Sequence, residues 1–413
     1  MNQNNRLDAL LALRGFACLM VVIHHCSPPR NSIIFKGYDL SWLIFSYGWV
    51  AVWIFFVLSG YLMGKAFYLE RYIADVPGVI KFWRNRIFRV VPLYYFAVLI
   101  LTLFVYPTWL KIENWGYLLR VFTFSYDYSL NYQSGMNFNG VFWSLSTEVQ
   151  FYIIVPFIYS YFNRRLTWQK QVYFTGFLIL SLIFLIRCIF WLTFRQEMSE
   201  QVLYVVKYWY TPLITNVDIF MCGFLVNVWL KYQPSNKKYY SFYKLLHLDK
   251  LNKKYIAVVL VILLYLFAAH HSYHQELLNA PESAGKGIRT TTTFFILPPV
   301  TALITSLFVW AFESDIYHSS SKNDKLSFNV ILRNPLRILE VFGNLSYGVY
   351  IWHVPISEKI TPIFTSNIPI EAFYSRLTAT LILSTVLATV TYYLVELPST
   401  KWKTYQQPNK LGE

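Results

Sequence analysis

Arg14 and His25 stand eleven residues apart in the first apolar segment, LDALLALRGFACLMVVIHHC. A helix turns about 100° and rises about 1.5 Å per residue, so eleven steps return to within about 20° of the same face, roughly 16 Å further along. One helix face thus carries a permanent cation at one depth and a proton-accepting imidazole about half a bilayer away. Ionisable groups are costly against lipid, so an aligned pair points inward, to a cavity or a polar partner. The competing reading is an Arg that snorkels to one interface and a His that caps the helix at the other, beside His24.

Glu148, in FWSLSTEVQFY, and His353, in NLSYGVYIWHVPI, add a carboxylate and a second imidazole on two further apolar segments. With the N-terminus on the cytoplasmic side, the helix directions bring His25, Glu148 and His353 to a similar depth in the outer half of the membrane. Such a group can activate a hydroxyl: an imidazole takes its proton, and a carboxylate fixes the tautomer and stabilises the imidazolium. Proton relay in a transporter uses the same residue types, so chemistry and transport both stay open. In KFWRNRIFRVVPLYY, Arg84, Arg86 and Arg89 gather before a helix enters the membrane, as a topology signal or as a phosphate site. A phosphate-bearing donor docked there would extend its tail past Arg14 toward His25. Four scattered cysteines give neither a disulfide framework nor a metal site.

Composition dictates what positions these residues. The 413-residue chain is 56% hydrophobic, 20% aromatic and only 14% charged, whereas soluble domains run nearer a quarter charged. We read an all-α, polytopic integral membrane bundle of about ten spans, near 7–26, 43–64, 87–106, 142–162, 172–194, 211–230, 255–270, 292–312, 342–357 and 377–396. The seventh and ninth are short, which suggests tilted, broken or partly re-entrant segments. An N-in, C-in arrangement places 24 basic residues inside and 10 outside, with Arg14 and Arg187 within spans. The net charge of +15 is therefore a topology signal, and nucleic-acid binding is excluded. The first segment reads as a retained helix, since no small-residue cleavage site follows it. No hydrophilic stretch is long enough for a second globular domain, so residues 1–413 are expected to form a single transmembrane domain without an appended soluble one.

The residues also resemble a known family, the bacterial membrane acyltransferase-3 family, which includes the O-antigen and polysaccharide O-acetylases. LDALLALRGFACLMVVIHH resembles its Arg-x10-His first helix at Arg14 and His25. WVAVWIFFVLSGYLMG resembles its Phe-Phe-x-x-Ser-Gly motif at Phe55, Phe56, Ser59 and Gly60. RIFR, at Arg86 to Arg89, is similar to its Arg-x-x-Arg motif. FWSLSTEVQFY, LSYGVYIWHVPI and VELP are similar to its later blocks, and the matches run in family order from residue 7 to residue 398. In the sixth-span block the family often has an Arg shortly before the Asp, where this chain has Asn216 before Asp218.

The resemblance implies transfer of an acyl group, usually acetyl from cytoplasmic acetyl-CoA or another acyl-CoA, to a hydroxyl of an extracytoplasmic glycan. His25 would act as general base or transient acyl carrier, with Glu148 and His353 as further catalytic groups. Glu148 would orient the base or help bind the acceptor. Arg14, Arg86, Arg89, Ser59 and Gly60 would form the donor site, Arg14 near the pantetheine arm and the other arginines near the phosphates. No metal is expected, and the protein would sit among the lipids of the bacterial inner (cytoplasmic) membrane. The alternative is a transporter or flippase for a lipid-linked saccharide. Tyr126, Tyr128, Tyr132 and Phe138 would stack on sugar rings or form an interfacial aromatic belt. Oligomeric state is left open.

Overall fold

Asp8 precedes the first apolar run and accepts the Leu11 backbone N–H at 3.0 Å, capping α1 (Ala9–His25). The computed structural model describes residues 7–125, 138–200, 205–232, 253–274, 291–314 and 328–405. Among the described residues nine further long helices follow α1: α2 (Gly48–Tyr68), α3 (Val76–Ile100), α4 (Phe142–Arg165), α5 (Gln169–Glu200), α6 (Val217–Lys231), α7 (Lys253–Tyr273), α8 (Leu297–Glu313), α9 (Ile338–Ile360) and α10 (Pro369–Thr391). Each coincides with one expected span, and the fold is all-α. The expected short segments are longer than the apolar runs suggest: α7 has 21 residues and α9 has 23.

Among the described residues six helical segments, containing α2, α3, α5, α7, α8 and α10, are long and apolar enough to cross a membrane. The other four long helices are shorter or more polar, and they carry Arg14 and His25 (α1), Glu148 (α4), Asp218 (α6) and His353 (α9). Only 11% of the apolar stretch of α5 is buried, and its apolar residues coat the outside of the bundle.

Two close crossings set the centre. A Cβ on Gly15 would lie 1.9 Å from the Leu339 carbonyl oxygen, and one on Gly60 would lie 1.9 Å from that of Phe220. Backbones this near leave no room for any side chain, so α1 packs on α9 and α2 on α6 at glycine-set distance. Three prolines lie inside helices and each frees a carbonyl four residues earlier. Side chains from elsewhere fill all three gaps. Ser399 Oγ donates to Phe88 O at 3.3 Å, Trp83 Nε1 to Tyr152 O at 3.2 Å and Asn139 Nδ2 to Ile351 O at 2.8 Å, answering Pro92, Pro156 and Pro355 in turn.

Among the described residues the sheet is one hairpin between α1 and α2, with Ile34 opposite Asp39 and Phe35 opposite Tyr38. Its two-residue turn needs positive φ at both positions, supplied by Lys36 (48°) and Gly37 (81°). Asp39 accepts a hydrogen bond from Tyr273 at the end of α7, and the Arg30 guanidinium lies 5.0 Å from the Tyr273 ring centroid. Hydrogen bonds from Ser41 and then from Tyr273 hold the Asp39 carboxyl below the usual carboxylate range.

Candidate active site

Two contacts fix how α1 and α9 run. Arg14 Nε donates to Ser346 Oγ at 2.8 Å, and eleven residues on His25 meets His353 with ring centroids 4.9 Å apart. The order is the same on both helices, so they lie parallel. His24 packs against Gly48 at the start of α2, while Arg14 lies 5.9 Å from the Phe55 ring, so α2 runs the opposite way. Ser59 donates to Glu148 and Phe56 packs on Trp143, which makes α4 parallel to α2.

These directions produce two layers. In the deeper layer Arg14, Ser59, Glu148 and Ser346 line one narrow cleft. Glu148 accepts hydrogen bonds from Ser59 and Tyr152. Arg89 is exposed and lies within electrostatic reach of both Arg14 and Arg86, and Arg86 packs 5.5 Å from the Phe82 ring centroid. Of the three, Arg14 lines the cleft and Arg86 and Arg89 lie on α3 outside its lining, guanidinium groups suited to phosphate oxygens. About one turn nearer the histidines the cleft is roofed by Tyr350, 2.6 Å from the Ser144 hydroxyl.

The histidines form the second layer, beyond that roof. His353 is fully buried, whereas His25 is exposed. His353 Nδ1 lies 3.1 Å from Val349 O and its Nε2 lies 3.2 Å from His25 Nδ1. His25 Nδ1 also lies 2.9 Å from Val21 O. Assigning tautomers from these partners, each Nδ1 carries hydrogen and donates to its helix carbonyl. The His353 Nε2 lone pair then faces His25 Nδ1–H, and the lone pair of His25 Nε2 stays free for a substrate proton. His24 is differently placed: its Nδ1 is 3.1 Å from Ser46 O, tying α1 to the start of α2.

The expected site residues thus divide. His25 and His353 come together, and Glu148 joins Arg14 and Ser59 in the lower cleft rather than the histidines. Gly60 serves the α2–α6 crossing and does not line the cleft. Phe138 is fully buried with its ring 4.9 Å from Trp109, in the core and closed to a sugar; Tyr126, Tyr128 and Tyr132 lie outside the described residues. Ser144, Ser346 and Tyr350 were not singled out by sequence. Their signal was helical spacing: Ser346, Tyr350 and His353 fall at i, i+4 and i+7, as Ser144 and Glu148 do at i and i+4. The partner of Asp218 is Arg187 of α5, at 3.0 Å and also donating to Thr215 O at 2.7 Å, with both side chains buried.

Residues 7–395, which include both layers, match the acyltransferase-domain family, acyltransferase-3, and the chain belongs to it. The chain is similar to the O-acetyltransferase OatA of Staphylococcus aureus (strain NCTC 8325 / PS 47), 24% identical over an alignment of 412 residues that covers 96% of this chain and 57% of the relative. It is 23% identical over 408 residues to the putative peptidoglycan O-acetyltransferase YrhL of Bacillus subtilis (strain 168), covering 95% of this chain and 54% of that one. A shorter match, 28% identical over 171 residues, links 40% of the chain to 43% of the acyltransferase MdmB of Streptomyces mycarofaciens. The chain thus spans little more than half the length of the two relatives it matches throughout. No solved structure matches it.

Proposed function

We propose that this chain is an integral membrane O-acetyltransferase, moving an acetyl group from a cytoplasmic acyl-CoA to a hydroxyl of an extracytoplasmic cell-wall glycan. In this reading residues 1–413 act as one transmembrane domain of ten spans in the bacterial cytoplasmic membrane, with both termini inside. The observation that carries it is the His25 imidazole, exposed, held at Nδ1 and, among the described residues, free at Nε2. The glycan substrate is suggested by the peptidoglycan named for the Bacillus relative.

The thioester supplies an activated acyl carbonyl. Arg86 and Arg89 hold the phosphates of the donor, and Arg14, fixed by Ser346, guides its arm along the cleft. His25 Nε2 takes the proton of the acceptor hydroxyl as that oxygen attacks, then returns it to the leaving thiolate. His353 accepts from Nδ1–H more strongly once the ring is charged, which favours the transition state over the ground state. Glu148 keeps Ser59 and Tyr152 oriented at the floor of the cleft.

The test is acetyl transfer in proteoliposomes from labelled acetyl-CoA to an N-acetylglucosamine oligosaccharide. Loss of a general base costs about 10²- to 10⁴-fold, the drop expected for His25→Ala in protein that still elutes as a folded species. Full transfer by that variant would defeat the mechanism. Movement of the saccharide across the bilayer without acetylation would favour the transporter.

A further inference from the structure

The cleft changes character along the helix axes. Its deep end is polar, but the end beneath the histidines is lined by Val52, Phe55, Phe56 and Leu145. On α2 the change is written on one face, where Val52, Phe55, Phe56 and Ser59 recur at i, i+3, i+4 and i+7. Tyr350 closes this apolar end, its ring 5.7 Å from His353. The side wall is braced. Phe56 is 2% exposed and stacks on Phe220 at 4.3 Å, which stacks in turn on Phe151 at 4.2 Å. Phe220 cannot withdraw, because its carbonyl marks the glycine-set crossing of α2 and α6.

We propose that the pocket between Val52, Phe55, Phe56 and Leu145 is the subsite for the transferred acyl group, and that the Phe56 stack restricts that group to short chains. The inference rests on the acyl-donor reading above. A donor held by arginines at the polar end presents its uncharged acyl group to the apolar end, and Tyr350, which separates that end from the histidines, must swing aside for the acceptor hydroxyl at His25 to reach the acyl carbonyl. A short group fills that end, and each further methylene must displace Phe56 from its close-packed position. One methylene in an apolar pocket is worth roughly 10- to 200-fold in discrimination.

The experiment gives the full chain in proteoliposomes acetyl-, butyryl- or hexanoyl-CoA with the same oligosaccharide acceptor, and mass spectrometry reads the product. For the unsubstituted protein kcat/KM should fall at least about tenfold from acetyl to hexanoyl. Phe56→Ala should raise the hexanoyl-to-acetyl ratio by about tenfold or more, and Phe56→Leu, which keeps an apolar side chain against Phe220, should shift it the same way by less. Equal use of the three donors by the unsubstituted protein overturns the proposal even if both variants misfold. An unchanged ratio in a folded variant overturns it as well. Transfer from none of the donors removes the acyl-donor reading and this inference with it.

Discussion

Replacing His353 with Phe separates the two histidines. The ring volume stays in a fully buried position, and the acceptor of His25 Nδ1–H at 3.2 Å is lost. The Val21 carbonyl, at 2.9 Å, remains and still selects the Nδ1–H tautomer. What disappears is one hydrogen bond to the imidazolium. Such bonds to charged groups contribute about 1.5–3 kcal/mol, which at about 1.4 kcal/mol per tenfold is a loss of roughly 10- to 150-fold in kcat. His353→Gln, with an amide oxygen in reach of the same N–H, should recover part of it. The assay is initial-rate acetyl transfer at saturating acetyl-CoA, with KM measured alongside, since the donor cleft is untouched. If His353→Phe were as inactive as His25→Ala, His353 would itself handle the proton and the division of labour would be wrong. A change below about threefold would mean that the bond carries no catalytic energy.

Asp218→Ala strands the Arg187 guanidinium among buried groups, and breaking such a pair costs about 3–5 kcal/mol. Thermal unfolding in detergent should show the loss, and the paired Arg187→Leu, Asp218→Leu change should regain much of it; a double variant no better than the single one argues against the pair. The Asp39 clamp has an acid limit. Because its carboxyl is held below the usual range, the clamp's contribution is complete above the unfolded carboxyl pKa of about 3.9 and is lost only as pH falls through the lower, folded value. Hydrogen-exchange protection of the hairpin should therefore hold in the wild type down to about pH 4, whereas Asp39→Asn should lose it already at neutral pH, and wild-type loss near pH 6 would contradict the assignment.

Much of this was legible in the sequence, because hydrophobic length is a property of single helices. All ten expected spans are helices, and the Arg14–His25 register is a property of one of them. Relations between helices were less legible. Glu148 was expected level with the histidines, yet it bonds to Ser59 and Tyr152, since hydropathy marks where a span lies without giving its vertical offset against its neighbours. The family's usual Arg just before Asp218 is Asn216 here, and the charge partner stands on α5, thirty-one residues upstream, where nothing in the sequence pointed to it. His353 was the exception. Its helix runs parallel to α1, so counting along the two chains brought the rings to one level.

The proline gaps bear on how the protein is made. A carbonyl left without a donor in hydrocarbon costs several kcal/mol, so a helix with such a gap is incomplete on its own in lipid. Trp83 is already in place when α4 emerges, and Asn139 when α9 does, so both helices can be sealed as they are synthesised. The gap in α3 is filled by Ser399, 311 residues later. Phe88 lies in the first turn of the expected span 87–106, so water or a headgroup can serve its carbonyl until the end of the bundle arrives, and the contact of Ser399 with the helix bearing Arg86 and Arg89 is among the last to form.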